Sequence, residues 1–343
     1  MGSSAKVRRN DRGFAGRMEH ATRRGNAHGA VLLLVIAALA ILTVLAVELA
    51  VRAKADVTRS ARGAREATFR RILDSGVEIA RTLLSKRNAA EGYDGWGFGW
   101  EREVRLELGP GESVSVRVED ESGKLNILRA AGSDEAGARA RAALGRLFER
   151  LDKAYPFQKW QEIGAAAMKR AAESAKGGEP LQTLDGLREA GISRELVFGS
   201  FKPDPGRPQV ALCDYLTVFG DGKANVNTAP DAVMFSLSEE WDEALAGRIV
   251  RRRGARSAEE SLGVKPFREV RVLVAVEGMV RKDERGAVIA NLLVKVQDSI
   301  GVQSACFSAR ILAEAGDRSR EAWAFFEQSG GVMKLVAFEE IEP

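Results

Sequence analysis

From Ala30 to Val47 every position except Thr43 is apolar. Such a run has no polar face to turn to water. At about 1.5 Å per residue it spans about 27 Å as a helix, close to the hydrocarbon core of a bilayer. Beyond Arg52 the apolar residues fall into steps of three and four: Val57, Ala61, Ala64, Phe69, Ile72, Leu73, Gly76, Val77, Ala80, Leu83 and Leu84. That spacing predicts one face of an amphipathic helix. No proline occurs before Pro110, so nothing forces a break. The expected element is one helix over 30–87 on the order of 85 Å long, with 30–48 in lipid and the rest packed on a domain.

The pattern then changes. Asn88 to Trp100 is glycine-rich and carries Tyr93, Trp96, Phe98 and Trp100, which predicts a loop tucked onto a core by its aromatics. Val104–Leu108 and Val114–Val118 alternate apolar and polar around Gly109-Pro110-Gly111, a hairpin with one buried face. Helical patterns follow over Gly137–Ala154, Tyr155–Ala175 and Leu184–Ala190. Lys202–Pro208 reads as an extended linker, and helices are expected again over Asp231–Leu237 and Glu243–Arg252. Near the end, 271–280, 288–296, 305–312 and 333–341 predict strands of an antiparallel meander, with Asp317–Glu327 as a short helix or loop over it. The fold class is α+β: a long N-terminal helix on an antiparallel sheet drawn from 88–127 and 268–343, with a large all-helical insertion over 128–267.

Charge narrows the function. Residues 1–29 hold seven basic side chains against two acids, so this leader carries +5 of a chain whose net charge is +4, and the remainder is −1. Beyond the leader there is no whole-domain electrostatic case for nucleic acid. The leader itself, rich in glycine and charge, reads as a structureless basic tail, and positive charge before an apolar run keeps that end cytoplasmic. Both histidines, His20 and His28, lie in it. Cys213 and Cys306 could pair in an oxidising compartment or remain two buried thiols. No nucleophile–base arrangement, G-x-S-x-G or P-loop is present, which argues against an enzyme.

One short pattern occurs twice. Asp120-Glu121-Ser122-Gly123-Lys124-Leu125-Asn126-Ile127 is echoed by Asp221-Gly222-Lys223-Ala224-Asn225-Val226-Asn227, with Gly-Lys-x-Asn at the centre of each. Each copy leads into a mostly helical segment, suggesting two related helical subdomains. Asn126, Asn225 and Asn227 are expected to bond nearby backbone and fix these turns. Thr228 and Pro230, in Asn227-Thr228-Ala229-Pro230, form a helix start.

With these residues assembled, the chain resembles the type II secretion minor pseudopilin K family, also called general secretion pathway protein K. The likeness rests on Gly29-Ala30-Val31-Leu32-Leu33 behind Arg23 and Arg24, on Asp120 to Asn126, on Tyr215-Leu216-Thr217-Val218, and on Asn225 to Pro230. It implies a pilin-like fold with two SAM-like or helix-hairpin-helix-like subdomains in the insertion. It implies cleavage by prepilin peptidase after Gly29 and N-methylation of Ala30. The protein would sit in the bacterial inner membrane with its globular part in the periplasm, among other minor pseudopilins, supporting protein export. Most pilins carry a glutamate fifth in the mature chain, where it meets the terminal ammonium of the subunit ahead; here Leu34 stands there. A tip subunit has no such neighbour, so Leu34 points to the tip. The family's aspartate-tryptophan-isoleucine-aspartate cluster is replaced by Lys159-Trp160-Gln161-Glu162. Calcium is implied by the resemblance, without ligands to name. The segment from Val226 also resembles the helix-hairpin-helix of competence receptors, but its hairpin, Ser238 to Asp242, carries three acids where a phosphate would sit. A type IV minor pilin would share the anchor but not the insertion.

Overall fold

The computed structural model describes residues 15–87, 92–201, 210–254 and 266–341; the expected linker over 202–208 lies outside them. The chain divides into two compact units between Ala67 and Thr68. Helix α1, Ala15–Ser85, is unbroken in its secondary structure. It starts inside the basic leader, so the tail expected to lack structure is helical from Ala15. Apolar side chains from Val31 to Val51 are exposed, and the helix is long and apolar enough to cross a membrane.

Burial on α1 begins later than the periodicity suggests. Val57 is 70% exposed, and the buried face comprises Phe69, Ile72, Leu73, Gly76, Val77, Ala80 and Leu84. Arg52, Lys54, Asp56, Arg59, Arg62 and Arg65 crowd the stretch before Phe69, leaving alanines too small to form a stripe of their own. From Phe69 on, the helix lies against a five-stranded antiparallel sheet ordered β1-β2-β9-β10-β11. Its strands are β1 (Val104–Gly109), β2 (Glu112–Asp120), β9 (Cys306–Ala315), β10 (Arg318–Ser329) and β11 (Val332–Ile341). Alternation sends Val114, Val116 and Val118 of β2, Phe307, Ala309 and Ile311 of β9, and Ala322, Ala324 and Phe326 of β10 toward α1. Small alanines and Gly76 let helix and sheet approach closely: a Cβ at Gly76 would overlap Ile311 Cγ2.

The opposite sheet face is also buried. Trp323 and Phe325 of β10 join the core of the helical insertion and pack on Phe198 (5.7 Å) and Phe219 (4.6 Å) respectively. Arg310 lies under this cover, its guanidinium 4.9 Å from the Trp323 ring. β10 is therefore a central strand, not the short helix or loop expected over Asp317–Glu327. Its charged start hid the alternation that Trp323, Phe325 and Phe326 carry. Two other expected strands do not join this sheet. Residues Val270–Ala275 form a 3-10 helix, and the next stretch makes a separate hairpin of β6 (Val280–Lys282) and β7 (Val288–Asn291) followed by helix α7 (Leu293–Val296). Val272, Val274, Val288 and Ile289 are exposed, so β-branched propensity found no sheet face to serve.

The insertion is built from α2 (Glu135–Ala154), α3 (Trp160–Lys176), α4 (Arg194–Phe198), α5 (Asp231–Ser236) and α6 (Glu243–Arg253), tied by short parallel bridges. One joins β3 (Leu125–Asn126) to β4 (Leu216–Thr217), another β5 (Ala224–Asn225) to β8 (Ile300–Gly301). Asp134 caps α2 through Gly137 N at 2.8 Å. Pro156 delays α3 to Trp160, whose amide reaches Asp152 Oδ1 at 2.7 Å. The aromatic loop behaves as its composition suggests. Trp100 is fully buried and meets Phe307 edge-on at 5.3 Å.

Gly76 gives this fold a direct test. Alanine there gains about 1 kcal/mol of helix propensity but overpacks Ile311 at a cost of about 1–3 kcal/mol. Gly76→Ala is expected to lower the thermal midpoint of the globular unit, and Gly76→Leu to lower it further, by near-ultraviolet circular dichroism.

Candidate functional site: a buried polar node at the repeat junction

The two Gly-Lys-x-Asn copies meet face to face. Asn126 Oδ1 accepts from Leu128 N (2.9 Å), and its counterpart Asn225 Oδ1 accepts from Asn227 N (3.0 Å). Asn126 Nδ2 donates to Phe219 O at 3.0 Å, whereas Asn225 Nδ2 donates to Asp120 Oδ2 at 3.1 Å. Residue 219 stands to the second copy as residue 120 stands to the first. The glycines repeat the relation: a Cβ on Gly123 would come 2.9 Å from Thr228 Oγ1, and one on Gly222 2.6 Å from Arg129 Cγ. The copies are thus related by a local pseudo-dyad, each gripping the lead-in of the other.

On one side of that dyad the contacts become a buried polar node. Asp120 Oδ2 accepts from Ser304 Oγ, from Thr228 Oγ1 (2.5 Å) and from Asn225, while Oδ1 takes Ser122 N (2.8 Å). Ser304 also donates its backbone amide to Asp94 Oδ2 at 2.8 Å. Asp94 pairs with Arg87 (3.4 Å), and Arg87 reaches Ser304 O at 2.7 Å and Gln328 Oε1. Asn227 mimics a peptide, accepting from Phe267 N (2.8 Å) and donating to Phe267 O (2.9 Å). Pro230 precedes α5 with extended backbone and no side-chain cap.

Burial pushes the Asp120 carboxyl up to about 6; its hydrogen bonds from Ser304 and Thr228 pull it back, and nearby Asp94 adds repulsion. Asp94 is raised too, by burial, against the Arg87 charge. Lys124 is buried as well. Burial pulls its ammonium down, but Glu121 (2.5 Å) and Glu119 (3.4 Å) outweigh that and hold it above the ordinary lysine value. Ser308 Oγ closes this second cluster on Glu121 at 2.7 Å.

Arg87, Asp94, Ser304 and Gln328 were not visible as site residues in the sequence. Each is isolated there, and only the ends of α1, β2, β9 and β10 bring them together. Arg253 closes the run of three arginines that ends α6. It is buried, donates to Val226 O at 2.9 Å, and burial draws its guanidinium down to about 10 despite Asp231. In the α5–α6 hairpin, Asp242 caps α6 through Leu245 N (2.7 Å) and Glu240 pairs with Lys295. Cys213 and Cys306 are both free and buried; burial, with Glu327 beside it, pushes Cys306 up to about 12, so it stays a thiol. Among the described residues no group of three or more His, Cys, Asp or Glu side chains is placed to hold a metal ion. Gly29 and Ala30 are exposed on α1, and Leu34 is 71% exposed.

No family model matches the chain, and no curated protein matches it in sequence. Among solved structures it is similar to a chain in the crystal structure of the GspK-GspI-GspJ complex from the enterotoxigenic Escherichia coli type 2 secretion system. The TM-score is 0.55 at 17% sequence identity, over 83% of this chain and 99% of that one. The two share a fold. What they have in common is the α+β, pilin-like arrangement of a long N-terminal helix, an antiparallel sheet and further helices.

The node predicts a defined pH response. A carboxyl whose folded value exceeds its unfolded one contributes stability that is full below about 4 and is lost as pH rises through about 6. In Asp120→Asn either Ser122 N or the three donors on Oδ2 would face an amide nitrogen, a loss of about 1–3 kcal/mol at neutral pH. Chemical unfolding is expected to show that deficit widening as pH falls from 7.5 to 5.

Proposed function

We propose that the chain is a minor pseudopilin of a type II secretion pseudopilus, placed at its tip, with no catalytic role. The observation that carries this reading is α1 itself. An apolar stretch with no internal cover runs on, as one helix, into a segment seated on an antiparallel sheet. A secretory signal has no use for the second half of such a helix, whereas an assembling fibre subunit needs both. The fold likeness to a chain of a three-pseudopilin complex supports the same reading.

In this account the basic leader stays cytoplasmic, prepilin peptidase cuts after Gly29, and Ala30 becomes the N-methylated start of a subunit anchored in the inner membrane. Leu34 leaves no buried carboxylate waiting for an ammonium from a subunit ahead. The insertion crowns the sheet in the periplasm and permits nothing to stack above it. Partners are the other minor pseudopilins. Since the apolar face from Phe69 to Leu84 is taken up by the chain's own sheet, the apolar surface that the helix offers partners lies before Phe69. β11 adds an outer strand with Val332, Leu335, Val336 and Phe338 exposed. Association, not chemistry, is the work done.

The test is the mass of the mature N-terminus in cells with and without prepilin peptidase. Loss of residues 1–29 together with one added methyl group, only when the peptidase is present, is expected. An intact leader in both, or a cut near Ala50, overturns the proposal.

A further inference from the structure

The five-stranded sheet has two outer strands, and they are built differently. β1 is six residues long and carries Arg105 and Glu107, with Arg105 paired to Glu107 and to Glu314. Charges on a short strand keep an open edge from pairing with other chains. β11 is ten residues long, and Lys334 is its only charge before Glu339. The sheet order ends on it, with Val332, Leu335, Val336 and Phe338 exposed.

A bulge decides what this edge can accept. Phe325 lies opposite Ala337 and Phe326 opposite Leu335, so Val336 is the extra residue. Cross-strand partners share a face. Leu335 and Phe338, opposite Phe326 and Ala324, thus both stand on the α1 side; three apart on a regular strand, they would point opposite ways. Lys334 and Glu339, opposite Glu327 and Trp323, both stand on the insertion side, as do Val332 and Ile341. The strand thereby becomes its own complement. Laid antiparallel with the bulges side by side, two copies put Leu335 against Phe338, Lys334 against Glu339 and Val332 against Ile341. Each pair lies on one face, and symmetry makes each of them twice. Met333 falls against Glu340, whose charge Arg320 of the same chain already takes at 3.6 Å. Lys334 is exposed and donates to Ser329 Oγ at 3.3 Å. Burial, with Asp185 adding repulsion, holds the Glu339 carboxyl above the ordinary value despite Thr183, Arg194 and Arg188 beside it, so it can take a further cation.

We propose that β11 pairs antiparallel with β11 of a second copy of this chain, joining two sheets across a two-fold axis. A foreign strand could meet the backbone of this edge, but the chain's own β11 supplies all three side-chain matches. The inference goes beyond the secretion reading and does not depend on it: the pair is the state of the chain before any other partner takes the edge.

The experiment treats the full chain in detergent micelles with a water-soluble carbodiimide, which joins an ammonium directly to a carboxylate. Lys334 and Glu339 of one strand are about 17 Å apart, too far for that bond, so a linked Lys334–Glu339 peptide reports two copies. That peptide is expected in the dimer band, alongside a concentration-dependent dimer in sedimentation. Leu335→Lys and Lys334→Glu are each expected to weaken dimerisation at least about tenfold, because each change is met twice. Leu106→Lys, on β1, is expected to leave it unchanged. Lys334 and Leu335 are exposed, so their variants should keep the wild-type thermal midpoint. A monomer throughout the micromolar range, a dimer indifferent to Leu335→Lys, or one without the Lys334–Glu339 link would each overturn the proposal.

Discussion

A five-stranded sheet whose two faces are both apolar cannot stay in water with either one bare. Here α1 covers one face and the helical insertion the other, and strand alternation enforces the division. Within β10 neighbouring residues serve opposite layers, Ala324 and Phe326 under the helix and Trp323 and Phe325 under the insertion. The insertion is therefore more than an ornament on a loop: without it Trp323 and its neighbours would form an exposed aromatic surface.

Holding that cover in one orientation falls to the polar node. Hydrophobic burial alone is indifferent to small slides of helices over a sheet, whereas hydrogen bonds from Ser304, Thr228 and Asn225 onto one carboxylate oxygen are not. The arrangement buries Asp94, Asp120 and Arg87 together, and burying charge is costly even when it is paired. The raised carboxyls of Asp94 and Asp120 register that cost. What the molecule obtains in exchange is a fixed junction among the end of α1, the strand β2, the lead-in to β9 and the second repeat copy.

Much of this architecture was readable in advance. An uninterrupted apolar run followed by helical spacing is a strong signal, and so is a glycine-punctuated hairpin of alternating residues. β10 was misread because its first four residues include three charges and its outward-facing positions are buried by the insertion, which erases the usual alternation. Residues 271–280 and 288–296 misled in part: valine-rich segments carry strand propensity, yet 270–275 is a 3-10 helix and Val288–Asn291 pairs only in a separate two-stranded hairpin. At the site, the repeat exposed Asn126, Asn225 and Gly123, because local turns leave local patterns. Asp94 and Ser304 left none, since their roles exist only when segments some two hundred residues apart in sequence touch.

The reciprocal grip of the two copies has a temporal side. Asp120 cannot complete its set of donors until Asn225, Thr228 and finally Ser304, 184 residues further on, have been made. Closing so long a loop is slow compared with forming hairpins or helices. The first copy must therefore wait, half-finished, while the long stretch between Asp120 and Ser304 emerges. Locking of the junction thus trails the making of its first half, and a truncated product ending before Ser304 would never reach it.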